Sequence, residues 1–186
     1  GSVLSLLPIV ARDILQGGPL TYGIMFGAFG VGGIAGAFLN ARVREQFKSE
    51  QIVRASFTGF ALSAVIIGIS TSSIVTFLGL VLAGMCWVIT LSLLNTVVQL
   101  STPRWVVGRA LSLYQTMTFG GIAAGSWLWG SWAEAFNPSN ALVWSGVLML
   151  FGALIGLRLP MPDFRTLNLN PLNRFVEPAL GLEIQP

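Results

Sequence analysis

The 186-residue sequence predicts an all-α fold, a polytopic membrane bundle of about six helices, and three observations favour it. Hydrophobic residues make up 54% of the chain and charged residues only 9%, whereas about a quarter of the residues in soluble proteins are charged. The mean hydropathy is +0.77. Charged side chains are also absent from four long intervals of the sequence, residues 14–41, 55–103, 110–133 and 135–157.

One spanning helix takes about 20 apolar residues, so the second interval holds two spans and each of the others holds one. The predicted spans, preceded by a truncated first helix, are about 2–16, 20–41, 54–71, 74–99, 110–132 and 141–158. The first is too short to cross a bilayer at about 1.5 Å per residue. We therefore expect residues 1–158 to be a membrane half-domain and the chain to be a fragment, followed by a cytoplasmic Pro-containing tail at 159–186.

The connections between the spans differ sharply in charge. Residues 41–54 form the most charged predicted loop, and Pro103 to Arg109 form a short basic turn. Turns at 70–73 and at Asn137-Pro138 are far less basic. With this topology, nine of the ten Lys and Arg residues lie on one side and only Arg12 on the other. The positive-inside rule then predicts that the basic side and the C-terminus are cytoplasmic.

Small residues recur one helical turn apart in two of the predicted spans. In a membrane such pairs let helix backbones approach closely, because lipid is as apolar as the helices. The spacing leaves two interpretations open, a static packing face or an interface that slides or rocks during transport. The residues that we predict at helix interfaces are Gly23, Gly27, Gly30, Gly32, Gly36, Gly121 and Gly125.

Polar side chains form a stripe on the apolar span 74–99. Ser92, Asn95 and Gln99 lie at i, i+3 and i+7, and Gln115 follows on the next helix. Intramembrane polar groups need partners. The stripe therefore either lines a substrate path or hydrogen-bonds between helices. Three tryptophans at the outer end of span 110–132 are typical of an interfacial aromatic belt.

Several classes of function find no support in the residues. The chain has no His and a single Cys86, so a metal site, a redox framework and a Cys–His pair are not expected. Paired carboxylates and a phosphate-binding loop are also missing, which argues against an enzyme and against a cofactor. The net charge of +3 is not gathered into one patch, so we expect no nucleic-acid binding.

Three stretches resemble the major facilitator superfamily, in particular its enterobactin-exporter-like, or transmembrane secretion effector, branch. They begin LLPIVARDILQGGPLTYG at Leu6, NTVVQLSTPRWVVGRALS at Asn95 and MPDFRTLNLNPLNRF at Met161. The resemblance implies the C-terminal half of a twelve-helix fold in the bacterial inner membrane, with a missing N-terminal half as partner. It also implies that spans 20–41 and 110–132 pack across the boundary between the halves.

The same resemblance implies a cytoplasmic gate. Pro103, Gly108 and Arg109 match the family's turn between helices ten and eleven. The loop after the second span matches its glycine–acid–arginine motif only in part, since Arg44 is present but Asn40 stands where an acid is usual. The predicted gate residues are therefore Arg109, Pro103, Gly108 and Arg44.

The sequence thus predicts a secondary-active transporter that exports a small amphipathic molecule, such as a siderophore or a drug, by alternating access. Its predicted partners are the small-molecule substrate, the lipid bilayer and the other half of the protein, with a proton as the candidate coupling ion. The candidate cavity residues are Asn95, Gln99, Gln115 and Ser92. Two alternatives stay open, a non-transporting membrane scaffold or partner-binding bundle and an uncoupled facilitator.

Overall fold

The computed structural model describes residues 1–103 and 105–156, and this part of the chain is built from helices. The predicted all-α membrane bundle is confirmed. The predicted tail at 159–186 lies outside the described residues, as do Arg104 and residues 157–158. The helices are α1 (Ser2–Ile9), α2 (Pro19–Gln46), α3 (Ser49–Ile69), α4 (Ser73–Ser101), α5 (Val107–Ala135) and α6 (Pro138–Ile155), and a π-helical turn, Val10–Ile14, continues α1.

Local sequence explains where several helices begin. Pro19 opens α2 after Gly18, and Pro138 opens α6 after Asn137. Proline is favoured at the first helical position because the amide that it lacks would have no intrahelical partner there. The Asn137 side chain also accepts a 3.0 Å hydrogen bond from the Ser139 amide. It therefore caps the otherwise unpaired start of α6.

The charged segment at 41–54 differs from its predicted form. Instead of a loop, residues up to Gln46 continue α2 and residues from Ser49 begin α3, so only Phe47 and Lys48 connect the two helices. Arg, Glu and Gln are good helix formers. Charge therefore indicates where the apolar part of a helix stops, while the helix itself continues beyond that point.

By length and composition, four of the helices can cross a membrane: α2, α3, α4 and α6. Helix α5 is long enough, with 29 residues, but it does not meet the same hydropathy criterion, since Gly, Ser, Thr and Gln interrupt its apolar residues. The fifth complete span therefore stays a prediction. We call the end where α2 and α4 finish the basic end of the bundle, and the other the opposite end.

Helix α4 is the centre of the packing. Its most extensive contacts are with α2 and then with α3, and α3 in turn packs against α6. At the opposite end one apolar cluster includes residues of all six helices, among them Leu6, Ile67, Leu80 and Leu142. A smaller cluster at the basic end joins α3 and α4 through Ile52, Val53, Ile89 and Leu93.

Helices α2 and α4 run parallel and approach closely where glycines meet backbone. A Cβ atom built on Gly32 would lie 2.0 Å from the Val81 carbonyl oxygen, and one built on Gly36 would lie 2.7 Å from the Met85 carbonyl oxygen. From the other side, a Cβ on Gly84 would lie 2.0 Å from the Phe29 carbonyl oxygen. This separation of the two helices requires glycine at these positions, because backbone atoms occupy the space of any side chain.

We expect Gly32→Ala to push α2 away from α4 and to lower the stability of the 186-residue chain by about 2 kcal/mol, within the range for overpacked sites. Gly30→Ala is the matched control, because nothing lies within 4 Å of a Cβ at that position and alanine favours the helix. Thermal unfolding in detergent, followed by the helical circular dichroism signal, compares the two. Equal midpoints for the two variants would contradict the close contact.

A second stability prediction concerns Thr76, in the first turns of α4. Its side chain is fully buried, and its hydroxyl has no hydrogen-bond partner among the described residues. Thr76→Val keeps the shape and removes an unpaired polar group, so we expect it to stabilise the chain by about 1 kcal/mol. Thr118→Val, which removes a hydroxyl bonded to the Tyr114 carbonyl, is the control and should not stabilise. The same unfolding assay decides between these outcomes.

Candidate functional site

One face of α2 is directed toward α4 from the middle of the helix to its basic end. Gly32, Gly36, Asn40 and Arg44 follow one another at intervals of four residues, and residues four apart lie on the same side of a helix. The two glycines contact the α4 backbone, and the two polar residues contact α4 side chains. The parallel helices are therefore joined first by backbone contact and then, at the basic end, by hydrogen bonds.

Four hydrogen bonds converge at the end of this face, and we call the group the Arg44 socket, composed of Asn40, Arg44, Ser92 and Thr96. The Arg44 guanidinium donates from Nε to Asn40 Oδ1, from Nη1 to Thr96 Oγ1 and from Nη2 to Ser92 Oγ, each at 3.0 Å. Asn40 Nδ2 donates to Ser92 Oγ at 2.9 Å. Each of the three guanidinium nitrogens thus binds a different acceptor.

The Arg44 socket brings together two predicted site residues, Ser92 and Arg44, and adds Asn40 and Thr96. Ser92, predicted to line a cavity, and Arg44, predicted at the gate, bind each other across the α2–α4 interface. Asn40 and Thr96 are not among the site residues that the sequence predicts. The available signal was their spacing, four residues before Arg44 and four residues after Ser92, which places each pair on one helical face.

The remaining cavity candidates are not joined into one cluster. The Asn95 side chain donates from Nδ2 to the Leu91 carbonyl of its own helix at 2.9 Å. Gln99, in the last turn of α4, and Gln115, on α5, are exposed. In the described part of the chain, no side-chain hydrogen bond connects these three residues to one another.

The other gate candidates lie where α5 begins. The Pro103 carbonyl accepts from the amides of Val106 and Val107, at 3.0 and 3.1 Å, which forms the turn into the helix. The Gly108 carbonyl accepts from the Ser112 hydroxyl at 2.9 Å. The Arg109 side chain is exposed. The turn is therefore built by backbone carbonyls, while Arg109 extends from the first turns of α5.

The candidate interface glycines divide into two groups. Gly32 and Gly36 are buried against α4, as described above. For the other group, no atom of residues 1–103 and 105–156, apart from the helix's own backbone, lies within 4 Å of a Cβ atom built at the position: Gly23, Gly27, Gly30, Gly121 and Gly125. The first group is a packing face inside this chain, whereas the second leaves helix backbone open on α2 and on α5.

Helix α5 is the least enclosed of the long helices. Of its 29 residues, only Ala133 is buried. Trp127 is 75% exposed, and near the end of the helix Trp132 stacks at an angle between Trp129 and Phe136, with ring centroids 6.3 and 5.1 Å away. An aromatic group at this end is typical of a helix that meets the membrane surface.

Charged side chains lie near the ends of the bundle. Arg12 and Asp13 form an exposed ion pair at the opposite end, with Nε and Oδ1 2.6 Å apart. Glu50 and Arg54 pair at the basic end, beside a cleft of about 240 Å³ between α3 and α6. Within residues 1–103 and 105–156 no group of three or more His, Cys, Asp or Glu side chains is placed to hold a metal ion.

Comparison with known proteins gives one family. A family model described as transmembrane secretion effector matches residues 1–186, the whole of the chain. No curated protein and no solved structure matches it.

The two arginines near the basic end are expected to differ in their contribution to stability. Arg44→Ala removes three charge-assisted hydrogen bonds, two of which join α2 to α4. We expect it to cost about 2 kcal/mol, since one interhelical hydrogen bond in a membrane contributes roughly 1 kcal/mol. Arg109→Ala removes an exposed side chain and should leave the unfolding midpoint unchanged. Equal losses in thermal unfolding of the two variants would contradict the socket.

Proposed function

Because the chain belongs to the transmembrane secretion effector family of the major facilitator superfamily, a family of membrane transporters, we propose that it is the C-terminal half of a secondary-active exporter. The proposed cargo is a small amphipathic molecule such as a siderophore or a drug. Transport proceeds by alternating access, with the two halves rocking about a site between them. In this arrangement α1 to α6 are the last six of twelve helices.

The open glycine faces of α2 and α5 carry this proposal. On each of these helices two glycines lie one turn apart, Gly23 and Gly27 on α2 and Gly121 and Gly125 on α5. At these four positions the described residues of other elements leave the space within 4 Å of a built Cβ empty. In a bilayer, faces of small residues serve helix–helix contact. The presence of two such faces, on α2 and on α5, supports the proposal that a second bundle of helices packs against this one. The contacts between the two bundles change as the transporter opens to one side of the membrane or the other.

The proposed cargo contacts are polar side chains that form no hydrogen bond to another helix among the residues that the structure describes. We assign them to Asn95, Gln99 and Gln115. Arg109 and the turn at Pro103 and Gly108 form the gate at the basic end. That end is proposed to be cytoplasmic in the bacterial inner membrane, because cytoplasmic loops are enriched in Lys and Arg.

The coupling chemistry is proposed to lie in the other half of the protein. No Asp, Glu, Lys or Arg occurs in the intervals 55–103 and 110–133, and proton relays in membranes ordinarily use such groups. The same observation favours a second candidate function, a non-transporting bundle that binds a partner protein. An uncoupled facilitator differs from both, because it moves cargo down its gradient without any coupling ion.

Efflux from cells that express the full-length protein tests the transport function. We expect a catecholate siderophore or ethidium to leave such cells faster than cells with an empty vector. Asn95→Leu and Gln115→Leu should each slow efflux about fivefold, the factor that corresponds to about 1 kcal/mol for one hydrogen bond. Asn140→Leu, an exposed position at the start of α6, is the matched control.

The outcomes separate the three functions. Efflux that stops when a protonophore is added supports a proton-coupled exporter, whereas efflux that ignores it indicates a facilitator. No efflux of any probe, at normal expression in the membrane, would contradict transport and favour the partner-binding bundle.

A further inference from the structure

The basic end of the α2–α4 pair depends on polar contacts more than the rest of the bundle. The apolar cluster at this end has four buried residues, all from α3 and α4, and α2 adds to it only the partly buried Val43. The glycine contacts of α2 with α4 lie earlier in the helix, at Gly32 and Gly36. The last turns of α2 are therefore held to α4 chiefly by the Arg44 socket.

The socket restrains both distance and direction. The guanidinium group is planar and offers its donors in fixed directions, and three nitrogens reach acceptors on two helices: Asn40 on α2, and Ser92 and Thr96 on α4. Ser92 Oγ accepts from both Asn40 and Arg44. These side chains are partly buried, and hydrogen bonds are stronger where water is scarce.

We propose that Arg44 is a positioning residue that keeps the basic ends of α2 and α4 at one separation, so that the two helices move as a unit when the transporter changes the side to which it opens. Asn40, Ser92 and Thr96 are the residues that hold its guanidinium. This inference rests on the proposed transport function. It also removes Ser92 from the candidate cavity residues, because Asn40 and Arg44 engage its hydroxyl.

Helix α5 makes few contacts with α4, and Arg109 at its basic end is exposed. Movement of α5 relative to the α2–α4 pair therefore breaks few contacts. Movement of α2 relative to α4 breaks the hydrogen bonds of the socket between these helices and the glycine contacts.

Distances between spin labels test this directly in the full-length protein in lipid nanodiscs. Labels on cysteines placed at Gln46 and Ser101, the exposed last residues of α2 and α4, report the separation across the socket. Labels at Ala55 and Ser101 report the α3–α4 separation, which the socket does not hold. Cys86 and any cysteine of the other half are replaced by alanine in every variant, so that only the introduced cysteines carry labels.

We expect one narrow 46–101 distance in the parent protein. Arg44→Gln and Thr96→Val should add a population at longer distance, while the 55–101 distance stays unchanged. Thr96→Ser, which keeps the hydroxyl, should restore the narrow distribution. Arg42→Gln, which removes a neighbouring exposed charge, and Thr102→Val, which removes a hydroxyl bonded within α4, are the matched controls.

The inference is overturned if the 46–101 distance stays narrow in both Arg44→Gln and Thr96→Val, or if Arg42→Gln widens it equally. If Arg44→Gln changes both distances, that variant has lost its fold, and the milder pair Thr96→Val and Thr96→Ser decides. No cargo is needed, so a failure of the efflux assay and a failure of the socket are distinguishable.

Discussion

At Gly32 of α2 the carbonyl oxygen of Val81 lies 2.0 Å from the place where a Cβ atom would be. The same close approach recurs at Gly84, against the Phe29 carbonyl. Between helices in a bilayer there is little hydrophobic driving force, so van der Waals contact and hydrogen bonds must hold them together. The position of α4 against α2 then determines where α3 can pack, and α3 determines the position of α6.

The helices are held together differently at the two ends of the bundle. At the opposite end, buried apolar residues of all six helices share one cluster. At the basic end the buried cluster belongs to α3 and α4 alone, and α2 is joined to α4 through Arg44. Movement of α5 relative to the other helices is therefore easier at the basic end, where α5 contributes no residue to the buried cluster.

Much of the fold was predictable because it depends on local properties of the chain. The intervals without charge located the long helices to within a few residues at most ends, and Asn137-Pro138 marked the start of α6. The prediction of a loop after Asn40 was wrong, because the charged residues there continue α2 beyond the edge of its apolar part. Gly32 and Gly27 could not be distinguished by spacing, since both belong to a pair of glycines one turn apart.

By itself the sequence determined the class of the protein, an all-α membrane bundle that is basic at one end. Composition, helix length and charge order are properties of single segments, so they can be read without knowing the neighbours. Only the tertiary structure decided which glycine face of α2 is closed and what Arg44 binds. Its partners Ser92 and Thr96 lie 48 and 52 residues further along the chain, and their meeting depends on how two distant helices are rotated and offset.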